Sequence, residues 1–430
     1  MAGNSRTRII SQSKAVFTSP TGILIPDEGG QSMTGNAHSG YVPSQLHRVD
    51  TFSFDVDLAG ARTDIREFGQ LARLGTITMS EVTPSISMGY YLGNGENEAR
   101  LGFNIGGLTG VNGVGAGAVP RSQFISGIQT EQTSDREKNI YCLTVKEGED
   151  AFDADTFSGT RTYHDVVGFG NCFMTNYTAN FAVGEIPRVD LDIDADNLIF
   201  YTGQSSGLVN PAIDLQGARA DTGFFMLEVP STGDMEMLVL RPDDVTVSFS
   251  NNDFDIGGTN FNDIYAQSVN IAVPLTRDTI EALGNERAVA RPIAFPIDVT
   301  VSVSALLKQF NDGNLDLILT GTADENQTNI TVTVSDQVGG TANKWILQNC
   351  VLDSQNFALG LDDNETVDLT FSAQIGGANQ QTDGLFMSGA FCPSPTGVAS
   401  PPISTTRYAS EFANINSLTN ANHVYSREGR

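Results

Sequence analysis

Positive charge is scarce in this sequence. Lys and Arg total 24 against 51 Asp and Glu, a formal net charge of −27 over 430 residues. Proteins that hold nucleic acid by attraction present a basic surface, so the balance argues against that class. It leaves room for DNA that slides past without sticking, because like charges repel at short range. Charged residues of both signs make up only 17% of the chain. Gly, Ser, Thr and Asn fill the difference, a mix that favours turns and strands over helices. A run of about 18 apolar residues is missing, so no membrane-crossing helix is expected. The start, Met1 to Phe17, carries Arg6, Arg8 and Lys14 but no apolar stretch of signal-peptide type, so the chain is expected to stay in the cytosol where it is made.

Cysteine and histidine are equally sparse. Cys142, Cys172, Cys350 and Cys392 include no CxxC pair, and they read as buried small hydrophobes rather than a disulfide scaffold. His38, His47, His164 and His423 lack metal-ligand spacing and are expected at the surface. Gly110, Gly113, Gly115 and Gly117 lack phosphate-loop spacing, and no GxSxG elbow occurs. The reading is a non-enzyme with no cofactor, no metal site and no catalytic residue.

What the chain does have is itself, twice. SFDVDLAGARTDIREFGQ at 53–70 matches SVNIAVPLTRDTIEALGN at 268–285 without a gap, pairing Ser53, Arg62, Ile65 and Gly69 with Ser268, Arg277, Ile280 and Gly284. The same offset, 268 − 53 = 215, pairs Ile86 with Val301. NIYCLTV at 139–145 resembles NITVTV at 329–334. Asn171-Cys172 matches Asn349-Cys350, and Val189-Asp190-Leu191 matches Val367-Asp368-Leu369, both at offset 178. A fourth block pairs Gly223–Met226 with Gly384–Met387. The order is the same in both halves, and the falling offsets place longer loops in the first copy.

Each repeat opens on an alternating, half-buried strand. At Thr63–Phe68 and Thr279–Leu283 the apolar spacing changes to three, which predicts a short helix closed by Gly69 or Gly284. Strands follow at Thr83–Leu92 and Asp298–Leu307, then turns at Asn94-Gly95 and Asn311–Asn314. Further strands are expected near 101–105 and 315–320, at 171–182 and 187–194, and at 349–360 and 365–372. The fold class is mainly β: two tandem β-sandwich or half-barrel domains, each with a short flanking α-helix. The expected divisions are an N-terminal arm at 1–45, domains at 46–240 and 241–395, and a C-terminal arm at 396–430. A Gly-rich insertion at 106–135 and an acidic one at 146–165, with Glu147, Glu149, Asp150, Asp153 and Asp155, belong to the first copy alone.

Asp190, Asp192, Asp194 and Asp196 alternate with apolar residues, and Asp368, Thr370, Ser372 and Gln374 repeat the pattern. A calcium loop needs Gly where Ala195 stands. A solvated strand face fits the alternation; a bound cation and an interface remain open.

The first-block strand, the glycine-closed segment after it and the strand pair after Asn-Cys together resemble the tail tube proteins of long-tailed phages. TRDTIEALGN followed by PIAFPIDVTVSVSALL is the stretch most similar to that family. The resemblance covers about 46–230 and 240–392. The family fold is shared with the haemolysin-coregulated protein of type VI secretion. It implies a virion structural subunit, assembled in the host cytoplasm, that stacks as rings into a conduit for DNA passage and ejection. Two domains per chain imply homotrimeric, pseudo-six-fold rings. The implied partners are further copies of the chain, the tape measure, tail terminator and baseplate or tip proteins, with DNA only as passing cargo. Asp190, Asp192, Asp194, Asp368 and Thr370 would then face the lumen, and Glu147, Glu149, Asp150, Asp153 and Asp155 would reach the next ring. A baseplate hub or receptor-binding adhesin is the alternative; a polysaccharide-active enzyme would need a carboxylate pair that is not recognisable.

Overall fold

The structure, a computed structural model, describes residues 14–21, 43–57, 62–78, 83–107, 123–129, 137–144, 165–202, 208–213, 224–225, 227, 245–250, 265–283, 288, 290–306, 327–335, 341–358, 366–377, 380 and 382–389. The first half supplies β1 (Lys14–Pro20), β2 (Ser44–Leu46), β3 (Val49–Val56), β4 (Arg62–Ile65), β5 (Gly75–Thr78), β6 (Pro84–Tyr91), α1 (Glu96–Leu101), β7 (Gly106–Gly107), α2 (Ser126–Gln129), β8 (Lys138–Thr144), β9 (Asp165–Ala182), β10 (Arg188–Thr202), β11 (Leu208–Val209) and β12 (Phe224–Phe225). The second half supplies β13 (Val245–Ser250), β14 (Tyr265–Pro274), β15 (Asp298–Leu306), β16 (Gln327–Ser335), β17 (Thr341–Ala358), β18 (Thr366–Gln374) and β19 (Gly384–Gly389). Fifteen of these strands join one sheet. The protein is mainly β.

Two sets of six strands pair in the same order. The first half runs β1–β8–β9–β10–β6–β3 and the second β13–β16–β17–β18–β15–β14. Their irregularities also coincide. Asp192 pairs with Asn176 and Ile193 with Met174, which skips Thr175; Thr370 pairs with Ser354 and Phe371 with Leu352, which skips Asp353. The skipped residues are 353 − 175 = 178 apart, the offset of the Asn-Cys match.

That match has a physical origin. Asn171 and Asn349 adopt left-handed backbone, φ 51° and 60°, a conformation Asn tolerates better than most residues. Each sits in a bulge against β8 or β16. The Asn171 backbone N–H donates to Asn139 Oδ1 at 3.4 Å, and that of Asn349 to Asn329 Oδ1 at 2.9 Å. Their side-chain amides donate to Glu137 at 2.6 Å and to Asp383 at 2.5 Å. The next residue, Cys172 or Cys350, is a buried free thiol.

The expected helices at Thr63–Phe68 and Thr279–Leu283 are not formed. In the first half β4 pairs with β5, Arg62 opposite Thr78 and Ile65 opposite Gly75. In the second, Arg277 bridges Ile293 and Ile280 bridges Ala290, the same hairpin 215 residues on. The spacing of three mimics a helix face, but Phe68 and Leu283 are fully exposed and bury no stripe. The helices among the described residues lie elsewhere, at α1 and α2. Leu101 ends α1, so 101–105 is not a strand.

Other differences are of register and extent. The bulges in β3 and β14 follow Val49 and Ala266, 266 − 49 = 217 apart, so the ungapped match is two residues out along that strand. A slip of two leaves every side chain on its own face, so alternation cannot reveal it. The fourth block does not align: β12 pairs with β11, whereas β19 lies on β17 where the end of β10 lies on β9. Lys14–Pro20, within the expected N-terminal arm, forms β1, with Ala15, Val16 and Phe17 buried.

One buried cluster spans both halves. Phe181 of β9 meets Trp345 of β17 edge-on at 5.4 Å between centroids. Phe103 stacks on Phe124 at 4.4 Å, and both meet Tyr177 edge-on. Gln123, from the Gly-rich insertion, donates to the Asp383 carbonyl at 2.5 Å, and its Oε1 accepts the Leu385 N–H at 3.2 Å. The halves also share backbone: β14 pairs with the second part of β9, from Ser268↔Ala182 to Pro274↔Asn176.

Candidate functional site

The feature that the pattern of alternation builds is a polar sheet face. Val189, Leu191 and Ile193 of β10 are buried, which turns Asp190, Asp192 and Asp194 to the other side. In β18, Val367, Leu369 and Phe371 are buried and Asp368 and Thr370 take the other side. The β14–β9 seam makes these one surface. Along one row, Arg188 pairs with Asn180, Asn180 with Asn270, Asn270 with Ser302 and Ser302 with Thr370. Next to it, Ser268 pairs with Ser304 and Ser304 with Asp368. The structure thus brings Asp190, Asp192, Asp194, Asp368 and Thr370 onto one continuous face.

Short polar side chains knit that face. Asn180 donates to Asp190 at 3.1 Å, Ser87 to Asp192 at 2.9 Å and Asn176 to Asp192 at 3.3 Å. Asn270 donates to Asn180 across the seam. Arg188 meets Asp190 and Asp50, each at 2.8 Å, and donates to Thr51 at 2.7 Å. Gly89 leaves the space this guanidinium crosses, since a Cβ there would fall 2.2 Å from Arg188. The carboxyl of Asp194 is pushed up by burial, partly offset by Arg291 and Arg277. Asp196 leaves the surface: it is buried, paired with Arg291 at 2.7 Å, and its carboxyl is pushed up to about 6 by burial.

Among the described residues the face has two open edges. β3 pairs with β6 on one side, and among the described residues no strand lies on its other side. β17 pairs with β18 as far as Ala358, but on the opposite side β16 stops at Val351. Ser354 and Asn356 are exposed. Beside the sheet, the β4–β5 hairpin carries Phe68 and Leu71 fully exposed, and Leu283 stands at the tip of the equivalent hairpin.

The acidic loop residues Glu147, Glu149, Asp150, Asp153 and Asp155 lie outside the described residues, as do His38, His164, His423 and Cys392. His47 is buried rather than exposed, and burial with the nearby Arg100 and Arg48 lowers its pKa to about 3. Its carbonyl accepts from Asn97 of α1 at 2.7 Å. On α1, Glu98 is buried and accepts from the Tyr90 hydroxyl at 2.9 Å; burial raises its carboxyl to about 7. Sequence reasoning missed this cluster, since ENEARL reads as a solvent-facing segment. Among the described residues no group of three His, Cys, Asp or Glu could hold a metal ion, and no helix is long and apolar enough to cross a membrane.

No family model matches the sequence, and no curated protein matches it. Solved structures that are similar to it in part include the following two. The anti-feeding prophage (AFP) baseplate, a six-fold symmetrised cryo-EM structure, is 13% identical over 31% of this chain and 92% of that chain, with a TM-score of 0.23. The SPP1 tail tube, a hybrid of solid-state NMR and cryo-EM, is 12% identical over 39% of this chain and 95% of that chain, with a TM-score of 0.26. At these scores neither likeness identifies the chain.

Proposed function

We propose that the chain is a structural subunit of a phage tail tube, made of two tandem tube domains and without enzymatic activity. The observation that carries this reading is the repeated set of six strands, joined edge to edge at β14–β9, with the equivalent edges at β3 and β17 left open among the described residues. A module that pairs with its own copy inside the chain is built to pair with further copies outside it. Three chains of two domains give 3 × 2 = 6 units per ring. The continuous polar face, which carries Asp190, Asp192, Asp194 and Asp368, lines the lumen and does not hold phosphates. The exposed apolar hairpin tips and the acidic loop of the first domain make contacts between rings. DNA is cargo; the tape measure, terminator and baseplate or tip proteins are the partners at the ends. The site is the virion tail, after assembly in the host cytoplasm.

Negative-stain microscopy of the purified protein tests this. Hollow tubes of uniform width support it. A protein that stays monomeric, or forms a compact trimer that does not stack, supports a baseplate hub or adhesin instead.

A further inference from the structure

The seam inside the chain specifies, residue by residue, the seam between chains. β14 lies against β9 with partners summing to 450, as in Ser268↔Ala182. The shared bulges equate β14 with β3 at offset 217 and β9 with β17 at offset 178. Transferring both gives 450 − 217 + 178 = 411. We propose that β3 of one chain pairs antiparallel with the open part of β17 of a second copy, with Ser53 opposite Ala358, Asp55 opposite Asn356 and Asp57 opposite Ser354.

Three observations support a second copy as the occupant. Among the described residues no strand lies against the outer side of β3 or against β17 beyond Val351, and these two edges stand at opposite ends of the same path of strands, β17–β18–β15–β14–β9–β10–β6–β3. Facing groups are complementary: the Asn356 amide and the Ser354 hydroxyl can donate to the carboxylates of Asp55 and Asp57, with no like charges opposed. The core side also matches in kind, since Phe52 and Phe54 of β3 already reach Phe169 at 6.1 and 5.2 Å between centroids, yet Phe54 remains 40% exposed. The contact is heterologous, edge to different edge, so it propagates until a ring closes.

The pairing rests on the ring reading only for closure. Eight strands per chain then give 3 × 8 = 24 in one barrel. With strands about 4.8 Å apart and tilted about 40°, facing backbones are about 48 Å apart. The two kinds of seam also differ. The one within the chain carries an Asn180–Asn270 contact, and the one between chains carries Asp55 and Asp57.

Paired cysteines test the register in the full chain. Asp55→Cys with Asn356→Cys, and as a second pair Ser53→Cys with Ala358→Cys, place thiols directly opposite, within disulfide reach. Asp57→Cys with Asn356→Cys places them diagonally, about 7–8 Å apart and out of reach. Mild oxidation should link most chains of the opposed pairs into dimers and trimers, at least ten-fold more than in the diagonal pair, with none in single variants or the native chain. Equal linking of the diagonal pair overturns the register. Self-linking of Asp55→Cys alone overturns the heterologous contact. Tubes without links refute the pairing and leave the tube reading standing; links without tubes do the reverse.

Discussion

Replacing Glu98 by Gln should flatten the pH dependence of stability. Glu98 sits in the core beneath β6, with its Oε1 accepting from Tyr90. Burial raises its carboxyl from 4.5 to about 7. In the folded state it therefore keeps its proton up to about pH 7, whereas the unfolded chain releases it near 4.5. The folded state binds more protons between those values, so stability is fully present below 4.5 and is lost as pH rises towards and through 7. At 1.36 kcal/mol per pH unit the loss is about 3 kcal/mol at most. Gln keeps an acceptor for Tyr90 and has no proton to lose. Urea unfolding of both proteins at intervals from pH 4 to 8 measures the difference. His47 titrates with the opposite slope, its contribution being lost as pH falls from 6.5 towards 3, but it is present in both proteins and cancels. The variant should gain on the native chain from pH 4 to 8, by up to about 3 kcal/mol. A difference that does not change with pH would refute the burial argument.

The bulge residues should be costly to change: Asn349→Ala loses about 1–2 kcal/mol from left-handed backbone and about 1 more from its side-chain bonds, read by thermal or urea unfolding. Burial pushes the Cys350 thiol up to about 12 and that of Cys172 well above its ordinary value. Alkylation of the native protein should therefore leave both thiols unmodified for as long as it stays folded, and mass spectrometry should find no 172–350 cross-link. Phe68→Ser with Leu71→Ser should leave rings intact but shorten or abolish tubes, as counted by microscopy. Asp192→Lys with Asp368→Lys should preserve tubes yet slow DNA ejection from assembled virions; unchanged kinetics would put that face outside the lumen.

The sequence made the strands legible because their alternation is a property of single residues: Val189, Leu191 and Ile193 point one way and the aspartates between them the other. It made the repeat legible where backbone geometry demands a residue type, as at Asn171 and Asn349. It failed where a pattern has two geometric solutions. Ile65 and Phe68 satisfy a helical spacing, but a hairpin supported by cross-strand bonds from Arg62 to Thr78 satisfies it too, and no buried partner selects the helix. It failed again where partners are distant. Nothing near Glu98 in the chain announces that Tyr177 lies beside it, nor that β14, paired with β15 on one edge, would join β9 of the other half on its second edge. The open edges, the basis of the proposed assembly, follow from that long-range pairing alone.

Cryo-electron microscopy of the assembled tube decides whether the chains close into the proposed ring. Three chains per ring are expected, with true three-fold and approximate six-fold symmetry, and with β3 of each chain continuing the sheet of its neighbour at β17. Six chains per ring, or a protein that forms no ring, would contradict it.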